Sequence, residues 1–304
     1  MNAAQTAARK LAHLSSPDRR LGPRTTYRVG GSAVAVVEVP GREQLDEIAA
    51  VTAETGAATL VIGKGSNLLV ADAGFDGIAL VLGEAFARVE VHGATVVAGG
   101  MAALPVLARQ SAASGLTGLE WAVGVPGSVG GGVRMNAGGH GSDIASTLRE
   151  VEVVDLSTAE RHRVPAGALG LGYRTSNLTA HQLVMEASFA LRPGDADASQ
   201  AEIAEIVRWR REHQPGGANA GSVFQNPPGD SAGRLIDAAG GKGLRIGTAA
   251  VSEKHANFIQ VDEGGSADDV FRLMERVAAG VLQHSQVRLV PETRLIGFPT
   301  WEMA

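Results

Sequence analysis

Between Val123 and Gly141, glycine stands at 124, 127, 130, 131, 132, 138, 139 and 141, interleaved with Pro126, Ser128, Arg134, Asn136 and His140. Such density exceeds what a turn needs, because every glycine adds to the entropy lost on ordering. Close approach of the backbone to a large flat ligand or a pyrophosphate is a sufficient reason to bear that cost. The 304 residues include 40 glycines, with 4% aromatic, 44% hydrophobic and 19% charged content. The glycines lie in ordered-looking motifs between apolar runs, so the chain reads as a folded α+β protein with ligand-cradling loops.

A second glycine loop, Gly63-Lys64-Gly65-Ser66-Asn67, follows the apolar run Thr59-Leu60-Val61-Ile62 and precedes Leu68-Leu69-Val70. Its glycines let backbone N–H groups turn toward an anion, and Ser66 and Asn67 add donors. It is not a P-loop, because the sequence holds no G-x-x-x-x-G-K-[ST]. Nor is it a dinucleotide fingerprint, since Leu68 occupies the third glycine position and no helix clearly follows. Taken alone, the loop reads equally well as a tight turn between strands.

Periodicity places strands at 33–39, 59–62, 78–82, 88–92, 95–98, 149–155, 160–164, 183–191 and 258–261, with short pieces at 289–290 and 294–296. Helices are expected over 42–55 with Gly56 as C-cap, over 104–114 closed by Gly115, over 199–212, and over 267–284 with Ser266 as N-cap. Residues 1–20 read as a leading helix or arm. Pro193-Gly194-Asp195-Ala196-Asp197 reads as a turn between a front part and a back part.

The net charge of −5 offers no basic footprint for nucleic acid. Arg208, Arg210 and Arg211 form the one tight basic cluster, which at helical spacing is a solvated face or one wall of an anion cleft. Absence of cysteine excludes disulfides, thiolate metal sites and cysteine nucleophiles. The eight histidines show no zinc-like pairing, so no metal is expected. No apolar run reaches membrane-spanning length, and residues 1–20 lack the apolar centre of a signal peptide, so a cytoplasmic protein with no membrane insertion is expected.

Three further segments carry reactive-type side chains: Gly172-Tyr173-Arg174-Thr175-Ser176, Gly221-Ser222-Val223-Phe224-Gln225-Asn226-Pro227 and Val290-Pro291-Glu292-Thr293-Arg294. Arg174 can clamp a carboxylate with two parallel bonds, or simply form a surface ion pair. Ser222 can turn the backbone locally, or donate a proton from a partly dry pocket. No G-x-S-x-G elbow surrounds it, which argues against hydrolase chemistry. Glu292 can pair with Arg294 in a turn, or polarise a neighbouring group.

In order and spacing these five segments resemble the UDP-N-acetylenolpyruvoylglucosamine reductase (MurB) family, over residues 25–297. The resemblance implies a two-subdomain FAD-binding domain of the vanillyl-alcohol-oxidase type plus a C-terminal α+β substrate domain. Along this chain that gives an arm or helix at 1–20, the flavin domain at 21–195 (subdomains 21–82 and 83–195) and the substrate domain at 196–304. The implied reaction reduces an enolpyruvyl ether of UDP-N-acetylglucosamine, with non-covalent FAD as cofactor and NADPH as co-substrate. Gly63, Lys64, Gly65, Ser66 and Asn67 match the first FAD-phosphate loop; Gly127, Ser128 and Gly130 fall in the second. Arg174 matches the arginine on the substrate carboxylate, Ser222 the proton donor, Glu292 the glutamate that stabilises developing charge, and Asn226 a substrate-binding asparagine.

Two positions depart from the family pattern. Lysine is frequent where Gln225 stands, and tyrosine where His140 stands, His140 being the matching substrate-contact position. The spacing after Arg174 lacks the extra tyrosine-bearing loop of the longer branch, and Ser252-Glu253-Lys254-His255-Ala256-Asn257-Phe258-Ile259 matches the shorter one. A paralogue acting on a related enolpyruvyl nucleotide, a flavin oxidase of the same superfamily and a non-catalytic nucleotide-binding regulator are the rival readings. A UDP-sugar and NADPH are the expected partners, and the protein is expected to act as a monomer.

Overall fold

The computed structural model describes residues 1–301. Two compact units are interleaved along the chain. The first gathers Met1–Asp18, Val34–Lys64 and Gly77–Arg210; the second gathers Arg19–Ala33, Gly65–Asp76 and the chain from Arg211 onward.

The first unit holds two sheets. Strands Ala33–Val39, Phe75–Leu82 and Thr59–Ile62 lie in that order, with the last two parallel. Helix Arg42–Thr55 turns Leu45, Ile48, Ala49 and Thr52 inward, the i, i+3, i+4, i+7 stripe that a half-buried helix needs. Gly56 ends it at φ 64, a left-handed C-cap that glycine adopts without strain. Helix Ala3–Lys10 starts on a capping box between Asn2 and Gln5, and buries Ala7 beside Leu11 in the same core. Each fully buried aliphatic side chain here contributes roughly 1.5–3 kcal/mol.

The other sheet of this unit is antiparallel throughout, in the order Arg161–Pro165, Leu148–Asp155, Gln182–Ala190, Thr95–Gly99, Val89–His92. Its alternating inward residues Val151, Val153, Ala187, Phe189, Val96 and Ala98 share a core with Leu104 and Leu107 of helix Leu104–Ala113. Helix Ala196–His213 closes the unit's course and buries Ile203 and Ile206.

In the second unit, helix Ala267–Ser285 buries Val270, Leu273, Met274, Val277 and Val281 in one core with the antiparallel strands Ala249–Val251 and Ile259–Val261. Ser266 caps it through Asp269 N. The strand Leu68–Val70 pairs in parallel with Arg294–Ile296, 226 residues apart at Leu68↔Arg294.

Three local expectations change. Residues 129–134 form a helical turn and a half inside the glycine segment, because Ser128 caps it and Gly132 lies where a Cβ would press on Leu104. Helix Ala232–Ala238, opened by Ser231, was not legible from periodicity over so few residues. Leu289 and Val290 form no strand: Pro291 has no N–H to continue a ladder, and pairing shrinks to a single bridge with Phe224.

Candidate active site

Within the first unit, the strand Thr59–Ile62 delivers Gly63 against the second glycine loop. A Cβ on Gly63 would collide with Ser128 Oγ. That loop is strapped to residues 100–104: Leu104 N donates to Gly127 O (3.0 Å), Val129 N to Ala102 O (2.9 Å) and Gly130 N to Gly100 O (2.8 Å). Ser128 Oγ accepts from Gly131 N at 3.4 Å, so the backbone N–H groups that follow it start a helix. The N–H groups of Val129, Gly130 and Gly131 are thereby bound within the protein, so what the loop offers a flat ligand or a diphosphate is close approach to a glycine backbone with little side chain in the way. Lys64 is exposed at its edge.

Behind the loop, burial works to raise the Glu120 carboxyl. The Ser199 hydroxyl (2.6 Å) and the Gly118 N–H (2.8 Å) outweigh it and hold the group below the usual carboxylate range.

Arg174 occupies a left-handed conformation at φ 55, and its Nη2 donates to Gly138 O at 2.9 Å. Asn136, also left-handed, donates through Nδ2 to Gly172 O (2.9 Å) and Asp143 Oδ2 (3.0 Å), while Oδ1 accepts from Ala145 N (3.0 Å). The arginine loop is thereby bound to the 136–143 hairpin that carries His140. His140 is exposed and meets the Trp209 ring edge-on at 5.3 Å. Of the basic cluster, Arg208 and Arg211 are exposed, whereas Arg210 is half-buried and desolvation lowers its guanidinium below the usual value.

The second unit joins three of the singled-out segments. Gly65, at φ 62, is buried with a Cβ position 2.6 Å from Thr25 Cα, so only glycine fits that turn. Asn67 donates through Nδ2 to Glu292 O (3.0 Å), and its own carbonyl accepts from Arg294 N (3.0 Å). On the far side of the same segment, Glu292 N donates to Val223 O (2.8 Å) and Gln225 N to Val290 O (2.9 Å). Ser222 and Glu292 therefore sit on adjacent extended segments, both half-buried, with Ser66-Asn67 next in line. Asn226 stands apart: it is exposed and its Oδ1 accepts from Ala232 N (3.0 Å) at the start of the short helix.

Sequence reasoning did not single out Asn136 or Asn257. Both are buried polar residues inside motifs that the sequence did display, and their value lies in bonds to distant backbone that no local pattern reveals. Among the described residues, no group of three or more His, Cys, Asp or Glu side chains is placed to hold a metal ion. No helix among them is long and apolar enough to cross a membrane.

Comparison with known proteins gives concordant matches. The sequence pattern of an FAD binding domain covers residues 33–164, and that of the UDP-N-acetylenolpyruvoylglucosamine reductase C-terminal domain covers 213–296. UDP-N-acetylenolpyruvoylglucosamine reductase 2 of Symbiobacterium thermophilum is 43% identical over 279 residues, 91% of this chain and 90% of that one. The reductase of Rubrobacter xylanophilus is 40% identical over 290 residues, 95% and 96% of the two chains. The crystal structure of UDP-N-acetylenolpyruvylglucosamine reductase (MurB) from Thermus caldophilus superposes with a TM-score of 0.80 at 36% identity, covering 91% of this chain and 97% of the other.

Fold, glycine cradle and flavin-domain match define an FAD-dependent oxidoreductase, with a flavin-binding domain followed by a C-terminal α+β domain. The chain belongs to the UDP-N-acetylenolpyruvoylglucosamine reductase (MurB) family.

Proposed function

We propose that this chain reduces the enolpyruvyl ether of UDP-N-acetylglucosamine to the lactyl ether, as its relatives' names describe. The observation that carries the reading is the Glu292 N to Val223 O bond, which joins the segment bearing Ser222 to the segment bearing Glu292. FAD, held without a covalent link, would supply a hydride taken from NADPH. Gly63, Lys64, Gly65, Ser66, Asn67, Gly127, Ser128 and Gly130 would line its phosphates, the glycines by letting the backbone come close and Lys64 and Ser66 by their side-chain donors. Arg174 binds the substrate carboxylate, His140 and Asn226 contact the sugar nucleotide, and Glu292 offsets the negative charge that grows beside that carboxylate. Ser222 then gives its proton to C2.

We assign residues 21–195 to the cofactor and 196–304 to the substrate, a single division along the sequence that cuts across the interleaved compact units. The motif at 252–259 and the short spacing after Arg174 support the branch without the extra tyrosine loop. The enzyme acts as a cytoplasmic monomer.

Anaerobic stopped-flow spectroscopy tests the reading. NADPH should bleach the bound flavin, and the enolpyruvyl nucleotide should restore its colour. Colour restored by O₂ but not by that nucleotide would replace the reductase with an oxidase.

A further inference from the structure

The segment that carries Ser222 belongs to no sheet, so something other than a strand partner must fix it. Val223 and Phe224 are fully buried, and each has a backbone N–H and C=O that burial obliges to find partners. Asn257 supplies three of the four. Its carbonyl accepts from Val223 N (2.9 Å), its Oδ1 accepts from Phe224 N (3.0 Å), and its Nδ2 donates to Phe224 O (2.8 Å). The fourth, Val223 O, accepts from Glu292 N at 2.8 Å.

The side-chain amide thus meets Phe224 as a neighbouring strand would, with one donor and one acceptor in antiparallel register. Only one orientation of the amide satisfies both groups of Phe224, which settles which end is oxygen. Asn257 is itself 3% exposed, and its N–H donates to His255 Nδ1 at 3.2 Å, so it is held from behind. Aspartate accepts but does not donate when ionised, serine is too short to span both groups, and glutamine carries the same amide one methylene further from the backbone.

We propose that Asn257 is a positioning residue for Ser222, fixing the Val223-Phe224 backbone so that the serine hydroxyl is presented in one place. This rests on the reading of Ser222 as proton donor. Asn257 touches neither cofactor nor substrate in this assignment; it acts through two peptide units. A shift of about 1 Å in a reacting group costs on the order of a hundredfold in rate. Loosening the segment should therefore slow the step that uses the serine and leave the preceding flavin reduction alone.

The test compares wild type, Asn257→Ala, Asn257→Asp and Ser222→Ala as FAD-loaded enzymes. Amide hydrogen exchange at Val223 and Phe224 should be slow in wild type and faster in both Asn257 variants. Flavin content and the rate of flavin reduction by NADPH should match wild type. Reoxidation by the enolpyruvyl nucleotide should fall roughly a hundredfold in Asn257→Ala and less in Asn257→Asp, which keeps the acceptor for Phe224 N. A solvent deuterium isotope effect on reoxidation should rise in both, because proton delivery becomes limiting.

Faster exchange with unchanged reoxidation would overturn the positioning role while Ser222→Ala still shows the serine to matter. Wild-type reoxidation in Ser222→Ala would instead remove the serine from the mechanism, a distinct failure. If Asn257→Ala does not fold, the aspartate variant decides, and fast exchange of Phe224 in wild type would be fatal to the proposal by itself.

Discussion

Ser128 Oγ stands so near Gly63 that a methyl group on Gly63 has no room: it would strike the hydroxyl and lie 3.1 Å from Ser128 Cβ. The two glycine loops, over sixty residues apart in sequence, are fitted to one another at that point. Moving Ser128 aside is not free, because its hydroxyl accepts from Gly131 N and caps the helix Val129–Arg134. Gly63→Ala should therefore widen the cradle or break the cap. Overpacking of this kind costs about 1–3 kcal/mol, which corresponds to flavin affinity weaker by roughly five- to over a hundredfold. Titration of the apoprotein with FAD, read by flavin fluorescence, measures it. Wild-type affinity in Gly63→Ala would take the Gly63–Ser128 contact out of cofactor binding.

Arg174 supplies a second prediction. Its left-handed backbone and its Nη2 bond to Gly138 O pin one edge of a planar guanidinium. Lysine keeps the charge but offers no planar fork, so it cannot hold Gly138 and clamp a carboxylate bidentately at once. Arg174→Lys should raise KM for the enolpyruvyl nucleotide by about tenfold or more, given the 1.5–3 kcal/mol typical of hydrogen bonds to charged groups. The KM for NADPH should stay near wild type. Equal loss for both substrates would mean that the substitution disturbs the loop rather than the carboxylate contact.

How much of this could be read from the sequence depends on how local the physics is. Helix Arg42–Thr55 was legible because four inward residues and a terminal glycine all lie within fifteen positions. The same holds for Ser266 and the long helix it caps. The helix at 129–134 was not, since three consecutive glycines each cost about 1 kcal/mol of helix propensity and only its cap and tight packing offset that. For the site, sequence motifs identified Ser222 and Glu292 singly. Their adjacency comes from bonds spanning some seventy residues through Val223, and Asn67 reaches Glu292 across 225 positions. No local pattern encodes such pairings. The inward turn of Asn257 was hidden for the same reason.

Asp72 joins the chain just after the first glycine loop to the start of the long helix. Its carboxylate accepts from Ser266 Oγ (2.5 Å), Ala267 N (3.1 Å) and Asp268 N (3.2 Å), three donors at a helix N-terminus where a negative charge is favoured. Asp72→Ala leaves two of those N–H groups without their carboxylate partner. The expected cost is about 2 kcal/mol, seen as a lower urea midpoint with unchanged slope. Asp72→Asn should lose less, because the amide oxygen still accepts. A midpoint for the alanine variant within error of wild type would show that water replaces the carboxylate without loss.

His255 makes stability depend on pH in a fixed direction. Burial lowers its pKa from the ordinary 6.5, the nearby Lys242 charge adds to that, and its own backbone bond opposes it only in part. The neutral ring is also the one that functions here, since Nδ1 accepts the Asn257 N–H at 3.2 Å and a protonated Nδ1 cannot. The unfolded chain therefore binds a proton near pH 6.5 while the folded chain still refuses it. Between the folded and unfolded pKa values the unfolded state holds more protons, so stability rises with pH there and is fully recovered above about pH 7. Acidification below about pH 6.5 should weaken the fold progressively until the folded pKa is passed. His255→Asn offers an uncharged acceptor near the position of Nδ1, and should flatten this part of the profile. The measurement is the wild-type minus variant difference in urea-unfolding free energy across that range, which cancels the other titrating groups. A difference that stays level with pH, or grows in favour of wild type on acidification, would mean that His255 titrates alike in both states.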